Sequence, residues 1–193
     1  MSSRDNILAA VKANQPETMA LPVIDEAGAI RFEDAAATFQ KILEGIGGTV
    51  KATNDLNEIA YYIKEHFTEG NRYVTVMDEL PGIEKADVAA DAHELDGVEV
   101  AVIKGTFGVA ENAAIWVTAA TVKVRVLPFI CQHLVVVLNK KDIFHNMHQA
   151  YTAIGDASYD FGVFIAGPSK TADIEQSLVL GAHGPKSLTV FLM

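Results

Sequence analysis

Six short runs, Val98 to Ile103, Ala114 to Thr118, Val122 to Leu127, Leu134 to Leu138, Phe161 to Ala166 and Leu188 to Leu192, have the composition of strands, and several are apolar at successive positions. A strand that is apolar on both faces must be covered on both faces, which confines such a chain to folds that lay helices over a sheet. The helices are legible too. Phe32, Ala35, Ala36, Phe39, Ile42, Leu43 and Ile46 recur at three and four residues, and Gly47-Gly48 follows as a left-handed stop. After a brief strand candidate, Thr49 to Ala52, Asn54 or Asp55 can cap a helix that buries Leu56, Ile59, Ala60, Ile63 and Phe67. Tyr73 to Met77 reads as another strand before the turn Asp78 to Gly82, and Ile143, Phe144, Met147, Ala150, Tyr151 and Ile154 mark one more helix. Strands interleaved with helices predict an α/β, three-layer fold around a mostly parallel central sheet. The stretch from Val98 to Leu138 has little helical signal and is expected to be locally antiparallel.

A length of 193 residues suits one domain with a small appendage. The appendage is residues 1–31, a short helix from Ser3 to Asn14 with Ser3 as its cap, then a linker punctuated by Pro16, Pro22 and Gly28; residues 32–193 form the main body. Lys and Arg total 15 against 25 Asp and Glu, a net charge of -10. That balance argues against nucleic acid or anionic lipid as the main partner. The first residues carry charges around only short apolar runs, so neither a signal peptide nor membrane insertion is expected, and the reading is a cytoplasmic protein. Cys131 is the sole cysteine, which excludes an internal disulfide, a one-chain iron–sulfur cluster and a thiolate zinc site.

Chemistry in open α/β sheets sits beyond the C-terminal ends of strands. The most site-like loop is Gly167-Pro168-Ser169-Lys170-Thr171, between the strand FGVFIA and the helical run ADIEQSLVLG. Ser169 or Thr171 can cap that helix, with Asp173 and Glu175 in its first turn. The same loop with Lys170 can receive an anion or carboxylate, or it can be a well-capped helix start without a ligand. In KGTFGVAENAAIWV, Lys104 and Glu111 lie among small residues, and Arg125 is the candidate partner for Glu111 as a strand-holding pair or a substrate clamp. His145 and His148 have HxxH spacing, but the apolar stripe puts His145 on the solvated face, and no metal site is expected. Cys131 and His133 share a face if the strand begins early, with a structural cysteine favoured over a nucleophile pair. His183 sits in the turn LGAHGPKS, as a ligand contact or a plain turn residue.

Two blocks carry a family likeness. GPSKTADIEQSLVLGAHGPKSLTVFL is very similar to the C-terminal signature of the LUD-domain, lactate utilization protein C family, and FGVAENAAIWV followed by RVLPFICQHLVVVL resembles its central block. The likeness covers Val98 to the C-terminus; it departs at Asn112-Ala113-Ala114, where many relatives carry Thr or Gly after the glutamate. It implies a fold similar to the sugar-phosphate isomerase, CoA-transferase and formyltetrahydrofolate cyclo-ligase superfamily. It also implies a role in oxidising L-lactate to pyruvate alongside two iron–sulfur partner subunits. The matching positions are Glu111, Arg125, Pro128 and His133 in the central block, and Gly167, Pro168, Ser169, Thr171, Asp173, Glu175, Gly181, His183 and Gly184 in the C-terminal one. An accessory subunit that binds a small carboxylate or organises redox partners is the first expectation, with no cofactor in this chain. The competing readings are a stand-alone enzyme on a small anionic metabolite, with Glu111 as acid/base and the Ser169 to Thr171 helix end as anion holder, and a ligand-sensing module without chemistry.

Overall fold

The computed structural model describes residues 2–20, 22, 25, 28–70, 72–87, 91–171 and 179–193. In chain order its first elements are α1 (Ser3–Ala13), α2 (Ala35–Gly45), β1 (Thr49–Ala52), α3 (Leu56–His66), β2 (Tyr73–Thr75), β3 (Glu84–Lys85), β4 (Val100–Lys104), β5 (Phe107–Val109) and β6 (Ile115–Thr118). They are followed by α4 (Ala119–Val122), α5 (Leu127–Ile130), β7 (His133–Leu138), β8 (Ile143–Phe144), α6 (Met147–Ile154), β9 (Gly162–Ile165) and β10 (Ser187–Leu192).

Six strands form a sheet in the order β1-β10-β7-β4-β2-β3, with every pairing parallel. Alternation along β4 shows why its sequence is apolar throughout. Val100 and Val102 join Ile59, Ala60 and Ile63 of α3 on one face, and Ala101 and Ile103 join Phe39 and Leu43 of α2 on the other. Phe39, Leu43, Ile59 and Ile63 are fully buried, each contributing about 1.5–3 kcal/mol relative to exposure. A mixed four-stranded sheet, β8-β5-β6-β9, lies on the α2 side, where Ile115 and Val117 enter the main core. Its other face carries Phe107, Val109 and Trp116, which pack with Ala150 of α6. The molecule is thus an α/β protein whose mostly parallel central sheet is flanked by helices, with a small second sheet inserted on one side.

Local chemistry accounts for most boundaries. Asp34 and Asp55 cap α2 and α3 through bonds to the Ala37 and Asn57 N–H groups at 2.9 and 2.8 Å. Gly47 ends α2 at φ +92°, the left-handed conformation anticipated for the Gly-Gly pair. The first helix is capped by Ser2 rather than Ser3, in a reciprocal box with Asp5, and none of its residues is buried.

Three expectations change. Val122 to Leu127 is not a strand. Val122 closes α4, Lys123 turns the chain at φ +52°, and Leu127 opens α5. Pro128, which lacks an N–H, fits that first helical turn and could not serve a ladder. Ile143 and Phe144 pair with β5 as β8, so α6 begins only at Met147, capped by Asn146. Antiparallel pairing between Val98 and Leu138 is confined to β5 with β6, whereas β4 and β7 run parallel.

Candidate functional site

The loop after β9 packs on the C-terminal end of α2. Gly167 adopts φ +72°, a conformation that favours glycine, and a Cβ there would stand a tight 3.2 Å from the Ile46 side chain. Lys170 Nζ donates to the Ile46 carbonyl at 2.6 Å and satisfies one of the free carbonyls at the end of α2. The Ser169 N–H donates to the Pro185 carbonyl at 2.9 Å, and the Gly181 N–H to the Ser169 carbonyl at 3.0 Å. Thr171 exchanges hydrogen bonds with Val179, and Lys170 bridges Leu180. The loop and the turn carrying His183 therefore fold onto each other. Residues 172–178, and with them Asp173, Glu175 and the helix expected there, lie outside the described residues.

Between these segments and α5 is a cavity of about 200 Å³. Pro128, Phe129, Leu134, Val163, Ile165, Pro168 and Leu188 make its walls apolar, and Ser169 and His183 supply side-chain polar groups. The fold thus joins Pro128 of the central block to Gly167, Pro168, Ser169, His183 and Gly184 of the C-terminal one. The placement differs from the expected sheet edge. β9 belongs to the small sheet, and the loop after it arrives beside Leu134 and Leu188, at the beginnings of β7 and β10. The cavity accordingly borders the N-terminal edge of the parallel sheet.

Glu111 is not brought to this cavity. Its Oε1 accepts the Met147 N–H at 3.1 Å at the start of α6, beside Asn146, whose side chain accepts the Gln149 N–H. Arg125, the expected partner, instead lies 3.9 Å from Asp160 and over the Phe161 ring. The two side chains serve different elements, because Arg125 sits in the exposed turn between α4 and α5. His145 is half-buried rather than solvated, with Nδ1 accepting the Phe32 N–H at 3.1 Å. Among the described residues, no group of three or more His, Cys, Asp and Glu side chains is arranged to hold a metal.

Cys131 and His133 part company at the entry to β7. Cys131 is 2 % exposed in the main core, and burial pushes its thiol up to about 12, a protonated and unreactive state. His133 shares a 2.7 Å hydrogen bond with Ser187 Oγ and stacks near Phe67. Nearby, Glu99 is buried at the head of β4, accepting the Glu69 and Gly70 N–H groups at 2.9 and 2.6 Å. No motif marks Glu99 or Ser187 in the sequence; a carboxylate inside the apolar run VEVAVI is the signal that points to Glu99.

Burial holds the His133 imidazole below its ordinary value of 6.5, with Lys186 acting in the same direction and Glu99 and Glu69 against it. The unfolded chain takes up this proton first, so stability is full above that value and declines as pH falls until the native imidazole also protonates. His133→Asn should therefore flatten the decline in urea-unfolding free energy between about pH 8 and about pH 5. An unchanged slope would show that His133 is not the coupled group.

The LUD domain family model matches residues 26–193, a span that contains both motif blocks and the cavity between them. The chain belongs to the LUD domain family. Across 99% of this LUD domain chain and 79% of the relative, it is 25% identical to lactate utilization protein C of Geobacillus sp. (strain WCH70). It is 31% identical over 90 residues to lactate utilization protein C of Bacillus pumilus, covering 44% of this chain and 38% of that one. Its fold is also similar to the crystal structure of a DUF162 family protein from Deinococcus radiodurans, with a TM-score of 0.62, 14% identity, and coverage of 88% of this chain and 99% of the other. Among the described residues no helix is long and apolar enough to cross a membrane.

Proposed function

We propose that this LUD domain protein serves L-lactate utilization as a non-redox subunit of a cytoplasmic complex that oxidises L-lactate to pyruvate with two iron–sulfur partner subunits. The observation that carries the reading is the near full-length similarity to a lactate utilization protein C, with the family match spanning both motif blocks. The donor set agrees with a division of labour. A cluster needs several thiolates, and this chain offers one cysteine, buried and protonated, so its residues do not fit an iron–sulfur centre. The cavity beside Ser169 and His183 is small, largely apolar and lined by no lysine or arginine, which suits the apolar side chain of a partner better than a free carboxylate.

The stand-alone enzyme reading joins Glu111 and Ser169 in one site, whereas Glu111 accepts the Met147 N–H at α6 and the cavity beside Ser169 is lined by other residues, which favours the subunit reading. Lactate-dependent dye reduction provides the test. The purified chain alone should show none, the three chains together should show turnover, and the two partners without this chain should lose most of it. Equal turnover without this chain would overturn the proposal.

A further inference from the structure

The C-terminal edge of the parallel sheet holds a second cleft, of about 560 Å³, on the opposite edge from the Ser169 cavity. Lys104 ends β4, Asn139 and Lys140 follow β7, Met193 follows β10, and Asn54 lies just past β1. Four strands that are neighbours in the sheet therefore each contribute a residue to one opening. This is where open α/β sheets receive ligands, because the strand ends there diverge into loops that can be varied without disturbing the core. Lys141 adds a third ammonium, and Asp142 is the one carboxylate side chain in the lining.

Such a concentration of cations is unexpected in a chain of net charge -10. Elsewhere Arg72, Lys123 and Arg125 each face a carboxylate, and Lys170 is spent on a carbonyl. Among the described residues Lys104, Lys140 and Lys141 form no ion pair, so three ammonium groups share the cleft with a single side-chain carboxylate, Asp142, that is paired with none of them. The turn that presents two of them is fixed, since the Lys140 N–H donates to Met193 O at 2.9 Å and the Lys141 N–H to Asn139 Oδ1 at 3.0 Å. The start of α3 opens nearby, but Asp55 already caps it through the Asn57 N–H, so the lysines and not the helix end provide the positive field.

We propose that this cleft binds a small, multiply charged anion of the phosphate-ester or diphosphate class. Several lysines acting as point charges match a dianionic or trianionic phosphate better than a single carboxylate. The cleft's volume is also in the range of small-metabolite sites rather than that of one lactate. The inference is independent of the lactate reading, because it concerns other residues and is read by binding instead of turnover.

Calorimetric titration of the full chain with inorganic pyrophosphate at low salt is the test, with L-lactate titrated in parallel. Pyrophosphate should bind saturably at one site, with an affinity that falls as salt rises. Lys104→Gln and Lys140→Gln should each weaken it about tenfold, and the triple Lys104→Gln, Lys140→Gln, Lys141→Gln chain should show no binding. Lys12→Gln, on the exposed first helix, should leave it unchanged. All three cleft lysines are exposed, so unfolding temperatures should stay level, and the single variants decide if the triple one does not fold. No saturable binding, equal affinity in the lysine variants, or a preference for L-lactate would each overturn the proposal.

Discussion

Phe39→Ala should lower the unfolding free energy by about 3–5 kcal/mol, the largest loss expected from a single side chain here. Phe39 is fully buried on α2 and meets both sheets at once. A Cβ added to Gly108 of β5 would stand 3.1 Å from the Phe39 ring and 3.0 Å from Leu138 of β7. The ring therefore fills the space where α2, the parallel sheet and the small sheet converge, and neither sheet can move inward to close the gap without abandoning its own strand pairing. Urea unfolding at constant slope would record the loss, and Phe39→Leu should retain more than half of the stability that Phe39→Ala forfeits. A loss below about 1 kcal/mol for Phe39→Ala would contradict this packing.

Glu99→Ala should be nearly as damaging, at about 3 kcal/mol. The cost comes from the partners more than from the side chain itself. Its two oxygens accept the Glu69 and Gly70 N–H groups, and removal leaves both part-buried donors without their acceptor at the head of β4. Glu99→Gln should fall between, because the amide keeps one acceptor and turns a donor toward the second N–H. A second readout separates this from a general packing defect. Glu99 pulls the His133 proton affinity upward, so either substitution should lower the imidazole titration further, as NMR would show. If that titration stayed in place or moved up, Glu99 would not be coupled to His133.

Much of the architecture could be read locally. β1, α3 and β10 carry their own caps, periods and apolar runs, and the boundaries expected for them differ little from Thr49–Ala52, Leu56–His66 and Ser187–Leu192. What failed was whatever depends on a distant partner. Val122 to Leu127 has an alternating pattern, yet no strand edge is available to it, and Pro128 favours a helical turn. Phe107–Val109 has a weak strand signal because of Gly108, while the fold needs that glycine to admit Phe39 and Leu138.

The site divides in the same way. The Ser169 and His183 segments were recognisable, and their union with Pro128 follows from the fold. Their position on the sheet was not recognisable, because the assignment of β9 to a second sheet is a long-range fact. Pairing Glu111 with Arg125 rests on charge alone, whereas the fold brings each to a partner from a later part of the chain, Met147 at the start of α6 and Asp160 before β9. The lysine cleft did leave a trace, since the runs VAVIK and LVVVLNKK both end apolar strands in lysine. Only the parallel register of β4 and β7 places those ends side by side.

The position of β10 bears on how the protein comes into being. This strand follows both of its sheet partners in the sequence, yet it lies between them, pairing with β7 over Ser187–Leu192 and with β1 over Thr189–Leu192. During synthesis β1, α2 and α3 leave the ribosome long before the segment that must join them to the rest of the sheet. Until Ser187–Leu192 arrives, β1 has no strand neighbour and β7 exposes an unpaired apolar edge, the kind of surface that recruits other chains. Closing so long a loop makes the insertion of β10 a slow, non-local step, and the sheet is not continuous from β1 to β3 until it is made.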